Sequence, residues 1–181
     1  MSAVFNEAFE KTMGHEGGYS NDPDDPGGET YRGISRVHHP TWAGWEVLDN
    51  TRLKKFDSRL EPLVKSFYWK EYWRKLRCDW FHPAIGAELF DSGVNVGKEG
   101  ATIFLQHALN LLNQKESWYK DILMDGKVGP RTKRAYDLLP RKYLPALLKV
   151  MNICQGSYYV DLMDHNEDNE KWIGWFGRVS L

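Results

Sequence analysis

Residues 15–35 read HEGGYSNDPDDPGGETYRGIS, and this stretch is rich in residues that end helices and form turns. Gly, Pro, Asp and Asn in this density predict turns around one short β-hairpin. Just before it, apolar residues at three- and four-residue spacings predict an amphipathic helix over residues 3–15, with Ser2 as its N-cap. The sequence therefore predicts a first helix followed by a short, polar loop or hairpin.

Helical spacing continues through most of the remaining chain. Helices are predicted over residues 53–60, 62–76, 84–96, 99–112, 131–139 and 141–164, and a short docked helix at the C-terminus. The chain shows neither an internal repeat nor a long linker. We therefore expect a mainly α fold and a single domain over residues 1–181.

Composition and charge narrow the classes of partner. The net charge is −1 and Lys and Arg are spread along the chain, so a nucleic-acid partner is not expected. The first residues are partly acidic and hold no long apolar run, which predicts neither a secretory signal nor a membrane span. We therefore expect a cytoplasmic protein whose two cysteines, Cys78 and Cys154, are reduced.

Glu16 is the first candidate for catalysis. Steps of four, four and three residues lead from Phe5 through Phe9 and Met13 to Glu16, which places this carboxyl on the apolar side of the helix. Burial and a helix C-terminus both favour the protonated form, as a general acid requires. The alternative is a Glu16 beyond the helix end that points into solvent, as most glutamates do.

The loop offers partners for such an acid. Asp22, Asp24, Asp25 and Thr30 follow Glu16 within fourteen residues. A glycosidase needs one protonated carboxyl for the leaving oxygen and a second group that directs water or stabilises positive charge on the sugar. The alternative role for each aspartate is the capping of a turn.

Two elements of the loop resemble the N-terminal signature of the glycoside hydrolase family 108 muramidases, which occur as phage endolysins and as wall-remodelling enzymes. They are Glu-Gly-Gly-Tyr at residues 16–19 and Asp-Pro-Gly-Gly-x-Thr at residues 25–30. The resemblance implies a lysozyme-like fold in which Glu16 is the acid, Asp25 the second carboxylate and Thr30 the group that positions water. Asp22 or Asp24 could take the place of Asp25.

Further segments are similar to the same family. YWKEYW at residues 68–73 resembles its aromatic helix, and LFDSGVNVG at residues 89–97 resembles a helix of phage-type lysozymes. By this resemblance Tyr19, Trp73 and Asn95 become candidates for substrate binding, although Asn95 could equally be a buried structural amide. MDGKVGPRT at residues 124–132 resembles the family's peptidoglycan-binding segment, or is simply a turn before a helix. The implied division is a catalytic part at 1–90 and a helical C-terminal part at 91–181.

Other chemistries find less support. The six histidines lack the spacing of a zinc protease helix, so we expect no metal, and no organic cofactor is implied. Trp42 and Trp45 could stack on sugar rings or pack over the helical layer.

The resemblance implies hydrolysis of the β-1,4 bond between N-acetylmuramic acid and N-acetylglucosamine in bacterial peptidoglycan, for lysis of a host cell. A lytic transglycosylase that uses the same glutamate is one alternative, and a non-catalytic wall-binding module is another. Access to the wall would need a holin or a secretion pore, and we expect a monomer.

Overall fold

The structure is a computed structural model that describes residues 1–14, 18–21, 28–50 and 59–179, without the side chains of 167–172. The chain forms two compact units, Met1–Glu71 (unit 1) and Tyr72–Leu181 (unit 2). A mainly helical fold with a small β element after the first helix is confirmed. The single-domain organisation stays a prediction. Within the described ranges, no helix is long and apolar enough to cross a membrane.

Unit 1 combines helices with a small antiparallel sheet. Its described elements are α1 (Ala3–Met13), β1 (Tyr19–Ser20), β2 (Thr30–Tyr31), β3 (Ile34–Ser35), α2 (Gly44–Asn50) and α3 (Leu60–Tyr68). A π-helix, Trp69–Trp73, continues α3 and contains the boundary between the two units.

The first helix supplies much of the core of unit 1. The side chain of Ser2 caps α1 by accepting a hydrogen bond from Phe5 N at 3.2 Å, as predicted. Phe5, Phe9 and Met13 are at most 2% exposed, which confirms the predicted apolar stripe. Phe9 packs edge-on against Tyr68 of α3, with ring centroids 5.9 Å apart. The stripe of α1 therefore fixes this helix against α3.

The three strands are joined in the order β1-β2-β3. Between β2 and β3 the chain turns through Arg32 and Gly33, whose φ angles are 46° and 76°. Two consecutive positive φ angles define the tight hairpin turn that matches the twist of the strands, and an arginine is an unusual residue at its first position. Tyr68 Oη donates a hydrogen bond to Arg32 O at 2.7 Å, and the Arg32 guanidinium pairs with Glu61. Contacts with α3 thus hold Arg32 in this conformation.

Two predictions about unit 1 are wrong in detail. α3 begins at Leu60, whereas the proline at position 62 was expected to be its first residue. A helix leaves its first four N–H groups unbonded, so the third helical residue can also be a proline at no cost in hydrogen bonds. α2 is missing from the predicted helices, and Trp45, which was considered for sugar stacking, lies in it. The helix predicted at 53–60 lies mostly outside the described residues.

Unit 2 is built from longer helices. Its described elements are a 3₁₀ turn (Cys78–Trp80), α4 (Pro83–Val96), α5 (Lys98–Leu112), α6 (Pro130–Leu138), a second 3₁₀ turn (Arg141–Tyr143), α7 (Leu144–Asp164) and a C-terminal 3₁₀ segment (Glu167–Arg178). Leu89, Phe90, Leu105, Leu109 and Met151 from α4, α5 and α7 are fully buried. These three helices form the core, and their bounds agree with the prediction to within a few residues.

A buried amide holds the turn that precedes α6. Gln106, which is 1% exposed, donates to Asp125 Oδ1 at 2.8 Å and to Thr132 Oγ1 at 3.1 Å. Its Oε1 accepts a hydrogen bond from Gly126 N at 3.1 Å. Gly126 has a φ of 67°, and a Cβ atom there would lie 2.4 Å from Glu99 Cγ. The Asp-Gly element at residues 125–126 is therefore a structural turn clamped from α5.

Candidate active site

Two of the predicted catalytic residues, Glu16 and Asp25, lie outside the described residues, as do Asp22 and Asp24. The structure describes the helix and the strands that precede and follow them in the chain. α1 ends at Met13, two residues earlier than predicted, and β1 begins at Tyr19. Glu16 lies outside both elements, and its role stays a prediction that rests on the family resemblance.

Tyr19 and Thr30 lie on neighbouring strands. In the register of the sheet, Tyr19 is opposite Tyr31 and Ser20 is opposite Thr30. Ser20 and Thr30, which come before and after the segment that contains Asp25 in the chain, are therefore opposite each other in the sheet. The structure brings these two predicted residues together at the base of that loop.

The hydroxyl of Thr30 is oriented by the backbone. Thr30 Oγ1 donates a hydrogen bond to Gly28 O at 3.1 Å. Because this bond uses the only hydroxyl proton, the oxygen can serve a further partner only as an acceptor. Such an oxygen can accept a hydrogen bond from a water molecule and thereby orient the lone pair of the water oxygen. This is the role expected of Thr30.

A chain of charged contacts closes the base of the loop. Tyr19 Oη donates to Glu29 Oε1 at 2.9 Å, and Arg36 Nη1 donates to Glu29 Oε2 at 2.7 Å. The same guanidinium binds Asp49 of α2 through two bonds, Nη1 to Oδ1 at 2.9 Å and Nη2 to Oδ2 at 2.6 Å. We call Tyr19, Glu29, Arg36 and Asp49 the hairpin clamp. It ties β1, the start of β2 and α2 to one cation.

Electrostatics and packing both fix this cation. The pKa of Arg36 is raised above its ordinary value, chiefly by the hydrogen bond to Asp49 and next by the one to Glu29. The guanidinium therefore stays charged at any working pH. Its Cζ lies 5.2 Å from the ring of Trp45, within the range of a cation–π contact. The Arg36 guanidinium is thus held by the two carboxylates of the clamp and by the ring of Trp45.

Trp42 and Trp45 pack against residues of the sheet and the hairpin clamp. Trp45 is 3% exposed and its Nε1 donates to His39 O at 2.8 Å. The ring of Trp42 is stacked on that of Tyr31, at 6.0 Å and 24°, and meets Trp45 edge-on at 5.0 Å. Of the two roles considered for this pair, packing is the one that the structure shows.

The other two predicted substrate-binding residues belong to unit 2. Asn95 Nδ2 donates to Asp91 O at 2.7 Å and to Asp91 Oδ2 at 3.2 Å, so its amide is engaged within α4. Trp73 is 1% exposed and packs edge-on against Phe90, with centroids 5.7 Å apart. Contact of either residue with a sugar stays a prediction.

Glu29, Arg36 and Asp49 were not identified from the sequence. One signal could have found the first pair: with a two-residue turn at residues 32–33, Glu29 and Arg36 are opposite each other across the hairpin. Arg36 N donates to Glu29 O at 2.8 Å, which continues the register. No spacing rule points to Asp49. Among the described residues, no group of three or more His, Cys, Asp or Glu side chains could hold a metal ion.

Comparison with known families identifies both parts of the chain. Residues 9–97 match the family described as Glycosyl hydrolase 108, and residues 100–180 match the one described as Predicted Peptidoglycan domain. Residues 9–97 thus belong to the glycosyl hydrolase 108 family, as the resemblance of residues 16–30 indicated. The two matches together make the chain a glycoside hydrolase that acts on peptidoglycan.

A solved structure supports the fold. That of SagA from Brucella abortus superposes with a TM-score of 0.65 and 22% sequence identity, over 97% of this chain and 91% of that chain. At this identity the likeness concerns the fold alone. No curated protein matches the chain.

Proposed function

We propose that the chain is an N-acetylmuramidase, a lysozyme in the broad sense, with Glu16 as its general acid. The observation that carries this proposal is the match of residues 9–97 to the glycosyl hydrolase 108 family, a span that includes the Glu-Gly-Gly-Tyr element at 16–19. The bond to be cleaved is the β-1,4 bond from C1 of N-acetylmuramic acid to O4 of N-acetylglucosamine.

In the proposed reaction Glu16 gives its proton to the glycosidic oxygen as the bond to C1 breaks. Positive charge develops on the muramic sugar, where a carboxylate at Asp25 stabilises it. A water molecule adds to C1 and passes its proton to Asp25, while Thr30 orients that water. The engagement of the Thr30 proton by Gly28 O supports this last role, because it leaves the hydroxyl oxygen as an acceptor.

The hairpin clamp supplies the rigidity that such a site requires. Catalytic groups act efficiently only when their supports prevent them from moving by more than a fraction of an ångström. Tyr19 and Glu29 stand on either side of residues 20–28 in the chain, and the clamp joins them directly. We therefore assign Tyr19 a positioning role in addition to the substrate contact predicted for it.

The products separate hydrolysis from its alternatives. Isolated peptidoglycan would be digested with the wild type and with Glu16→Gln, and the released sugars weighed. Muramidase action yields hydrated reducing ends, whereas a lytic transglycosylase yields anhydro ends that are lighter by one water. Wall binding without any release of sugars by the wild type would identify a non-catalytic module and overturn the proposal.

We also propose that the enzyme serves in lysis of a host cell and acts after a holin or a secretion pore gives it access to the wall. In support, residues 16–30 resemble the signature of the family 108 muramidases, which occur as phage endolysins. Expression in a host with an intact membrane should leave the cells whole, and lysis should follow when a pore-forming protein is co-expressed. Lysis without the pore would contradict this route.

A further inference from the structure

Unit 2 contains a groove along one side of α6. Two cavities of about 440 and 320 Å³ lie between this helix and the chain of residues 118–129, and both are lined by Leu123 and Arg131. We call this pair of adjoining cavities the α6 groove. Each has a volume in the range of small-ligand sites.

The groove has an apolar floor and a rigid rim. Ala135 lies in its floor and is 2% exposed, while Leu123 on the opposite side is 70% exposed. Trp118, at one end, packs against Tyr143 with ring centroids 5.2 Å apart. At the other end the turn at residues 125–126 is fixed by Gln106. The groove is therefore a preformed surface.

The cations and anions of the rim differ in how they are engaged. Asp121 accepts a hydrogen bond from Asn113 Nδ2 at 3.0 Å, and Asp125 accepts one from Gln106 at 2.8 Å. Lys120 is paired with Glu116 at 2.5 Å. In contrast, no carboxylate of the described residues lies within 4.0 Å of Arg131 or Arg134. Two guanidiniums are thus available to a ligand.

These two guanidiniums are placed to act together. Arg131 and Arg134 are exposed, are three residues apart on α6 and both line the larger cavity. Residues at this spacing lie on the same side of a helix. Lys133, on the other hand, pairs with Asp137 at 2.5 Å and does not line the groove. The groove accordingly presents a doubly cationic edge above an apolar floor.

We propose that the α6 groove binds the peptide stems of peptidoglycan through their carboxylates. The proposal rests on the assignment of peptidoglycan as the substrate, and it adds which part of that polymer unit 2 contacts. Guanidinium groups bind carboxylates through two parallel hydrogen bonds, and in peptidoglycan the free carboxylates are on the peptides. The alanine methyl groups of a stem suit the apolar contacts that Ala135 in the floor and Leu123 on the opposite side offer. In intact peptidoglycan the lactyl carboxyl of each substituted muramic sugar is consumed in the amide bond to its stem, so the sugars of that strand offer the two arginines no anion.

The test is direct binding of a synthetic peptide stem that ends in two D-alanines with a free C-terminal carboxylate. Titration calorimetry on the full chain carrying Glu16→Gln avoids any digestion. Arg131→Gln and Arg134→Gln together should weaken binding by about tenfold or more, and the same stem with a C-terminal amide should also bind less tightly. Lys149→Gln is the matched control: it removes one charge from an exposed residue of α7, outside the groove, and should leave affinity unchanged.

Equal affinity of the double variant and its parent for the stem would overturn the proposal, as would binding of an uncharged N-acetylglucosamine oligomer as tightly as the stem. Since both arginines are exposed, the variants should keep the thermal unfolding of the parent. A failure of the stem to bind leaves the muramidase assignment intact if the wild type still cleaves peptide-free glycan. If instead no glycan is cleaved but the stem binds, the muramidase assignment fails and the groove proposal stands.

Discussion

Glu29 and Arg36 face each other across the β2–β3 hairpin, joined by a backbone hydrogen bond of 2.8 Å and an ion pair of 2.7 Å. Arg36 also binds Asp49, so one side chain connects the hairpin with α2. The side chain of Arg36 is 35% exposed and that of Glu29 only 18%, which means that loss of the cation would leave a largely covered carboxylate.

Arg36→Gln should therefore lower the free energy of unfolding by about 1–2 kcal/mol, in part because Glu29 loses its charged partner. The free energy of unfolding of Arg36→Lys should lie between those of the wild type and Arg36→Gln, since an ammonium cannot bind Asp49 through two parallel bonds and Glu29 at once. Urea unfolding measures both. As a control, Lys65→Gln breaks a pair with Glu10, which is 65% exposed, and should cost less. An equal cost for the two glutamine variants would contradict the importance given to the clamp.

The clamp should also matter for catalysis. Tyr19→Phe removes the hydroxyl that donates to Glu29 and retains the ring. We expect kcat on isolated peptidoglycan to fall by about tenfold, because the segment between β1 and β2 loses a support at its base. Under conditions where both proteins are fully folded, an unchanged kcat would show that the hydroxyl has no positioning role.

In unit 2, Gln106 is the residue whose replacement should be most costly near α6. Gln106→Leu removes the acceptor of Gly126 N and the amide that donates to Thr132 Oγ1, both held by a side chain that is 1% exposed, at a cost of about 1–3 kcal/mol. Gln106→Glu should be less stable at neutral than at mildly acidic pH, because two carboxylates would then face each other. Thermal unfolding at both pH values tests this, and a pH-independent stability of the glutamate variant would refute it.

Tyr119 gives a prediction on the alkaline side. Burial, and to a smaller extent the charge of Asp121, raises the pKa of Tyr119 to about 12. The unfolded chain would titrate near its ordinary value of 10, so the stabilisation is complete below that pH and is lost as the pH rises towards about 12. Tyr119→Phe should flatten this alkaline decline in the free energy of unfolding. If the free energy of unfolding of Tyr119→Phe declines as steeply as that of the wild type, the alkaline decline is caused by other groups.

The sequence predicts the long helices well and the short elements poorly, for physical reasons. α4 and α5 are long enough for several turns of apolar spacing, which brings both predicted bounds within one residue of the observed ones. α2 has seven residues and follows a stretch with Pro and Gly, so its pattern is hidden. Strands of two residues have no periodicity at all, and the composition around them could indicate only turns.

The candidate site divides in the same way. Residue types and spacing single out Glu16 and the loop after it, because the acid and several further carboxylates are close together in the sequence. The hairpin clamp depends on register and on a contact with α2, and Asp49 enters it from a distance of thirteen residues along the chain from Arg36. Such a partner follows from the fold and not from any local pattern.

We propose that Glu16 donates the proton that breaks the glycosidic bond. The most direct measurement is the initial rate of turbidity clearing of isolated peptidoglycan by purified wild type, Glu16→Gln and Glu7→Gln, the last an exposed glutamate on α1. An amide cannot donate this proton, so Glu16→Gln should lose activity by at least about a hundredfold while Glu7→Gln keeps the rate of the wild type. Clearing by Glu16→Gln at a rate near that of the wild type would show that Glu16 is not the general acid.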